Sequence, residues 1–226
     1  MIPSVMLKLL KRLILVSFVT VLFGCKSDIV ETKVKTSDIK RSMSGKIVTV
    51  PFSAVIQVLG DDQNTRGEIK KYERIIENYV DVEDFEISKS MMGMQIKVEG
   101  NVPLIFGSKA RSGGKHPWAI YIKKTDNLTL KKRYPHRLSL ETTDHFLSFK
   151  NEFKKLNAML SPDPHQPLLM KIRNSDQSAL RVFTGSVEIQ GKHHALYEGG
   201  VRKRISMQMK GGVYDHAAPV IFFNIE

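Results

Sequence analysis

The sequence predicts an α+β fold: a mainly antiparallel sheet with two amphipathic helices packed on one face. Three observations carry that expectation. Short segments rich in β-branched and aromatic residues recur along most of the chain, several with period-two alternation. Two longer segments space their apolar residues as a helix does. The composition, 42% hydrophobic and 26% charged, is that of an ordinary globular domain and contains no low-complexity linker.

The first element is a leader. Lys8, Lys11 and Arg12 precede an uncharged run from Leu13 to Phe23, and Gly24 and Cys25 follow. A membrane-spanning helix needs about 20 apolar residues, so this shorter run reads as a secretory signal peptide over residues 1–24. The stretch Leu22-Phe23-Gly24-Cys25 resembles the bacterial lipobox. That resemblance implies cleavage before Cys25, diacylglycerol on its sulfur and acylation of the new amine. Phe23 departs from the pattern, which usually has Ala or Ser there. Cys25 is the only cysteine, so it forms no internal bridge.

Residues 25–45 read as a lipidated N-terminus and flexible tether, because Asp28 to Ser44 is polar without a clear apolar period. A single α+β domain is expected over 46–226. Lys46 to Gly60 is β-branched and reads as a strand, with Pro51 arguing for an edge or a bulge. Thr65-x-x-Glu68 has the form of a capping box, and Ile69, Tyr72, Ile75, Ile76 and Tyr79 form the stripe of a helix of about fourteen residues. Phe85 to Ile87 and Met94 to Val98 read as a hairpin around Met92-Gly93, continued by Val102 to Phe106. Ala119 to Ile122 forms another strand.

The second half echoes the first. Leu138 to Leu140 is a short strand, and Thr143 or Asp144 caps a helix with Phe146, Phe149, Phe153, Leu156 and Leu160 on its apolar face. Pro162 to Pro167 stops it. Strands follow at Leu168 to Ile172, Leu180 to Phe183, Val187 to Ile189, Val201 to Met209 and Val220 to Ile225. Two similar β-α-β-β halves, with an internal duplication near residue 135, are one reading. The coarser one is a single domain.

The charge bears on partners. Three of the 35 basic residues and none of the 23 acidic ones lie in residues 1–24, leaving 32 against 23, a surplus of +9. Such a surface favours anionic partners. Lys109, Arg111 and Lys115 lie in a Gly-rich loop before Trp118. Lys123 and Lys124, with Lys131, Lys132 and Arg133 before Tyr134, form a second cluster, and Arg202 to Arg204 a third. Lys109, Arg111, Lys115, Lys131, Lys132 and Arg133 are the candidate anion-binding residues, suited to lipid headgroups or to an envelope protein. The alternative is a solvated surface that serves solubility. Export argues against a nucleic-acid partner despite a pI near 9.7.

Enzymatic signatures are missing. No phosphate-binding Gly loop, nucleophile elbow or zinc-protease helix motif is present, and no cofactor is expected. His193-His194 with Asp215-His216 contain metal-ligating groups, but adjacent residues on a strand face opposite sides. Asp144-His145 sits where a helix begins. No catalytic or metal residue is assigned, and a site assembled from residues distant in sequence is the alternative.

The leader, and the segment Thr36-Ser37-Asp38-Ile39-Lys40-Arg41-Ser42-Met43-Ser44-Gly45-Lys46 running into Val50-Pro51-Phe52, resemble the small prophage-associated lipoproteins of enterobacteria, the YafY/YfjS type. The resemblance implies a lipid-anchored membrane protein facing the periplasm. It points to the inner membrane, whereas Lys26 directly after the lipidated cysteine favours sorting to the outer membrane.

Overall fold

The computed structural model describes residues 27–59, 63–90, 93–107, 115–156, 161–162, 167–209 and 219–226. In chain order the elements begin with β1 (Ser27–Lys35), α1 (Thr36–Met43), β2 (Val48–Leu59), α2 (Gln63–Tyr79), β3 (Asp81–Ser90), β4 (Gly93–Phe106) and β5 (Trp118–Lys124). They continue with α3 (Leu128–Lys131), β6 (His136–Thr142), α4 (Phe146–Leu156) and β7 (Leu168–Arg173). The last four are β8 (Leu180–Ile189), β9 (Lys192–Val201), β10 (Arg204–Met209) and β11 (Val220–Ile225).

One sheet runs β10-β7-β1-β2-β4-β5-β6-β11-β8, and β8 pairs back onto β10 through Val187↔Met209 and Glu188↔Gln208. The result is a closed nine-stranded β-barrel, with β3 and β9 attached outside the ring to β4 and β8. This overturns the expected α+β sheet with two helices on one face. Nor do the two sides of residue 135 repeat one β-α-β-β order: the first runs β1-α1-β2-α2-β3-β4-β5-α3 and supplies the arc β1-β2-β4-β5, whereas the second runs β6-α4-β7-β8-β9-β10-β11 and supplies the arc β6-β11-β8-β10-β7. Closure replaces the open edges that such a sheet would leave.

β8 makes the closure at a corner. Leu180, Val182 and Thr184 point inward before Gly185-Ser186, and Val187 and Ile189 do so after it, so the inward parity shifts by one. Ser186 adopts φ 46° at the shift. Before the corner β8 pairs with β11, and after it with β10.

The barrel interior is packed with side chains such as Val50, Leu104, Ile120, Leu138, Met170 and Ile221, as suits a ring of this size. α1 covers the end where β1 finishes and β2 starts. Ile39 enters the barrel core at 1% exposure, and the Ser42 hydroxyl donates to the Leu104 carbonyl at 3.0 Å. At the opposite end β2 and β4 run past the ring. There Val58, Met94, Ile96 and Val98 receive Ile69, Tyr72 and Ile76 of α2 and Phe149 and Phe153 of α4. β4 accordingly changes partner, from β3 up to Asn101 to β5 from Leu104.

Several local expectations shift for identifiable reasons. The segment read as a tether is β1 and α1, an integral part of the barrel. Its inward residues include Thr32, which is buried and donates to the Pro51 carbonyl at 3.2 Å, so polarity there does not mean exposure. Pro51 lies inside a strand flanked on both sides, but the β1 ladder to β2 stops at Phe52, leaving that stretch locally at an edge. α2 begins at Gln63, two residues ahead of Thr65, so the T-x-x-E motif lies inside the helix, across its first two turns, and not at its cap. β9 is placed in the sequence only through the strand position of His193-His194, without bounds: among the described residues it pairs with β8 alone and is exposed along most of its length, so no alternation marks it.

Candidate functional site

Strand direction decides where each basic cluster goes. β5 runs from the helical end of the barrel towards α1. Lys123, Lys124 and the Lys131–Arg133 turn therefore lie at the α1 end, with Arg202, Lys203 and Arg204. Lys115 precedes β5 and lies at the helical end, where the Thr143 hydroxyl donates to the neighbouring His116 carbonyl. Six residue steps of β5 put about 20 Å between the Lys115 side of the strand and the Lys131 side. The candidate set is thus split, and Lys109 and Arg111 lie outside the described residues, as do Leu22, Phe23, Gly24, Cys25, Leu160, Asp215 and His216.

A different set is brought together. β1, β7 and β10 are neighbours in the barrel, with Lys35 in register with Arg173 and Arg173 in register with Arg204. Neighbouring strands lie about 4.8 Å apart. Three exposed cations therefore stand in one row across three strands, and none makes an ion pair among the described residues. One row back, Lys33 and Lys171 are also in register, and both approach Glu31, at 3.7 and 2.7 Å. The outward face of the three strands carries five cations and, among described side chains, the single carboxylate Glu31. Like charges placed opposite each other weaken a sheet, so this arrangement works against folding.

The facing wall treats its charges differently. Lys123 pairs with Glu141, Arg137 with Asp126 at 3.4 Å, and Arg133 with Glu198 at 2.5 Å. The Lys131–Arg133 cluster is thus partly neutralised. Asn127 accepts from the amides of Thr129 and Leu130, both at 3.0 Å, and so caps α3 and positions these lysines.

The chain matches no protein-family model and no curated protein sequence.

A cleft of about 360 Å³ adjoins the cation row at the α1 end, lined among others by Asn174, Ser178, Arg181 and Arg202. The Asn174 amide donates to the Ser178 and Val201 carbonyls at 2.7 and 3.0 Å, tying the β7–β8 loop to the end of β9. In the same loop the Asp176 carboxylate accepts from Ser178 at 2.6 Å and from Thr36, and Lys40 lies 3.4 Å away. Those hydrogen bonds, followed by the Lys40 charge, hold its carboxyl at about 2, below the usual 3.8. Asp176 is therefore committed to α1 and does not neutralise the row beside it.

His193 and His194 of β9 pair with Glu188 and Val187 of β8 and are not among the residues lining this cleft. Among the described residues no group of three His, Cys, Asp or Glu side chains converges as a metal ion requires. What the site offers chemically is fixed positive charge on a rigid frame, suited to holding anions. Lys35, Arg173 and Arg181 were missed in the sequence. The signal for Lys35 was present, since Lys33 and Lys35 flank Val34 with the period of a strand.

Proposed function

We propose that this protein is a lipid-anchored cell-envelope module, held to a membrane through Cys25, that binds an anionic partner without catalysing a reaction. The observation that supports this most is the Lys35–Arg173–Arg204 row, three exposed cations in register without an ion pair among the described residues, whereas Lys123 and Arg137 on the facing wall are each paired with a carboxylate. Such a row lowers stability when empty and is relieved when an anion covers it. The adjoining cleft has arginines at Arg181 and Arg202 and amide and hydroxyl groups at Asn174 and Ser178, with no histidine or carboxylate among its lining residues. That composition supports binding over acid–base chemistry.

Two measurements test the reading. Labelled palmitate should enter the wild-type chain and not Cys25→Ser, and fractionation of the two membranes should show where the labelled form resides. The full chain in detergent should be retained on immobilised polyphosphate and released as salt rises, because exposed charges are screened beyond a Debye length of about 8 Å at physiological ionic strength. Substituting Lys35, Arg173 and Arg204 together by Glu should abolish retention. Label independent of Cys25, or retention untouched by the triple substitution, refutes the corresponding half of the proposal.

A further inference from the structure

The geometry points to the membrane that carries the protein's own lipid as the anion that the β1–β7–β10 wall meets, with the barrel lying on its side against an anionic phospholipid leaflet. This rests on the lipid-anchor reading above. β1 starts at Ser27, two residues after Cys25, so little chain separates the lipid from the barrel. The strand that leaves the lipid is itself one of the three strands of the basic wall, paired with its middle strand β7.

Two orientations are open to a barrel tethered in this way. Standing on its helical end, it would hold Lys35 a strand's length from the headgroups, about 30 Å at roughly 3.3 Å per residue. That is several Debye lengths, so the cation row would gain nothing from the bilayer. Lying on the wall brings Lys33, Lys35, Lys171, Arg173 and Arg204 to the headgroups together. The rest of the charge distribution agrees. β3, which flanks the helical end, exposes Asp81, Glu83, Asp84 and Glu86, and an anionic leaflet would repel that edge. α2 mixes Glu68, Glu73 and Glu77 with its lysines and arginines. The sign of the wall suits an anionic bilayer, and its strand β1 begins two residues after the lipidated one in sequence.

The test is a lysine footprint on the lipidated full chain, reconstituted into phosphatidylcholine vesicles with or without phosphatidylglycerol. Acylation of each lysine is read by mass spectrometry after the vesicles are floated. The expected result is at least a threefold slower reaction of Lys33, Lys35 and Lys171 on the phosphatidylglycerol vesicles. Lys150, Lys154 and Lys155 of α4, and Lys124, Lys131 and Lys132 at the α1 end, should react alike on both. In the R173E/R204E chain the protection of Lys33, Lys35 and Lys171 should disappear while the chain still floats. Equal reactivity of the wall lysines on both vesicles overturns the orientation, and so does protection that falls on α4 or on Lys131 instead. A chain that floats with neither vesicle removes the anchor itself, and the orientation with it.

Discussion

Asp176 shows how much one carboxylate contributes when its partners come from another element. Ser178 holds it from its own loop, while Thr36 and Lys40 reach it from α1. Because its pKa is lower in the folded chain, its stabilisation is complete above the ordinary value near 3.8 and is lost as pH falls through about 2. Asp176→Ala should lower the melting temperature by a few degrees at neutral pH, and the gap to wild type should close as pH approaches 2. Thermal unfolding across that range checks it, and a gap independent of pH would show that the carboxylate charge is not the cause. The residue scale is also where the sequence misled. Thr32, Thr36 and Ser42 read as solvated polar positions, yet all three are buried and hydrogen-bonded. Ile39 is the one buried apolar side chain among the eight residues of α1, so no hydrophobic stripe announces the helix.

At the level of elements, apolar periodicity was a reliable guide wherever one face is buried against a large partner. The stripes of α2 and α4 are legible in the sequence, and the structure adds that they meet, with Tyr72 stacked on Phe153 and Tyr79 edge-on to Phe149, both at 5.3 Å. Phe153→Ala should cost about 3–5 kcal/mol, since it leaves a cavity between the two helices and the β2–β4 extension. Leu147→Ala on the exposed face of the same helix should change stability by less than about 0.5 kcal/mol. Urea denaturation of both variants compares them directly. A small loss for Phe153→Ala would mean that α4 is not bonded into this second core. Elements without a clear apolar alternation are harder to read from the sequence: among the described residues β9 has one neighbour and little burial, and β1 sets the buried Thr32 and Val34 between charged residues.

Over the whole molecule, the decisive feature is that the sheet closes, and closure depends on the corner in β8. Ser186 occupies the left-handed region there at φ 46°. A β-branched residue tolerates that conformation poorly, so Ser186→Val should destabilise the fold by about 1–3 kcal/mol, whereas Ser186→Gly should be neutral or better. Urea midpoints for the pair separate conformational strain from any loss of the hydroxyl, and equal destabilisation by both would implicate the hydroxyl. Closure also sets the charge polarity, a basic wall on β1, β7 and β10 against an acidic edge on β3. By itself the sequence determined the net charge, the two helices and most strand segments, because each depends on neighbouring residues and their spacing. The reading of Cys25 as a lipidated residue likewise rests on the sequence alone. Only the tertiary structure decided which strands pair, that the sheet closes, and that Lys35, Arg173 and Arg204 stand in one row. Those three residues are scattered over most of the chain, and cross-strand register, which local periodicity does not encode, is what brings them together.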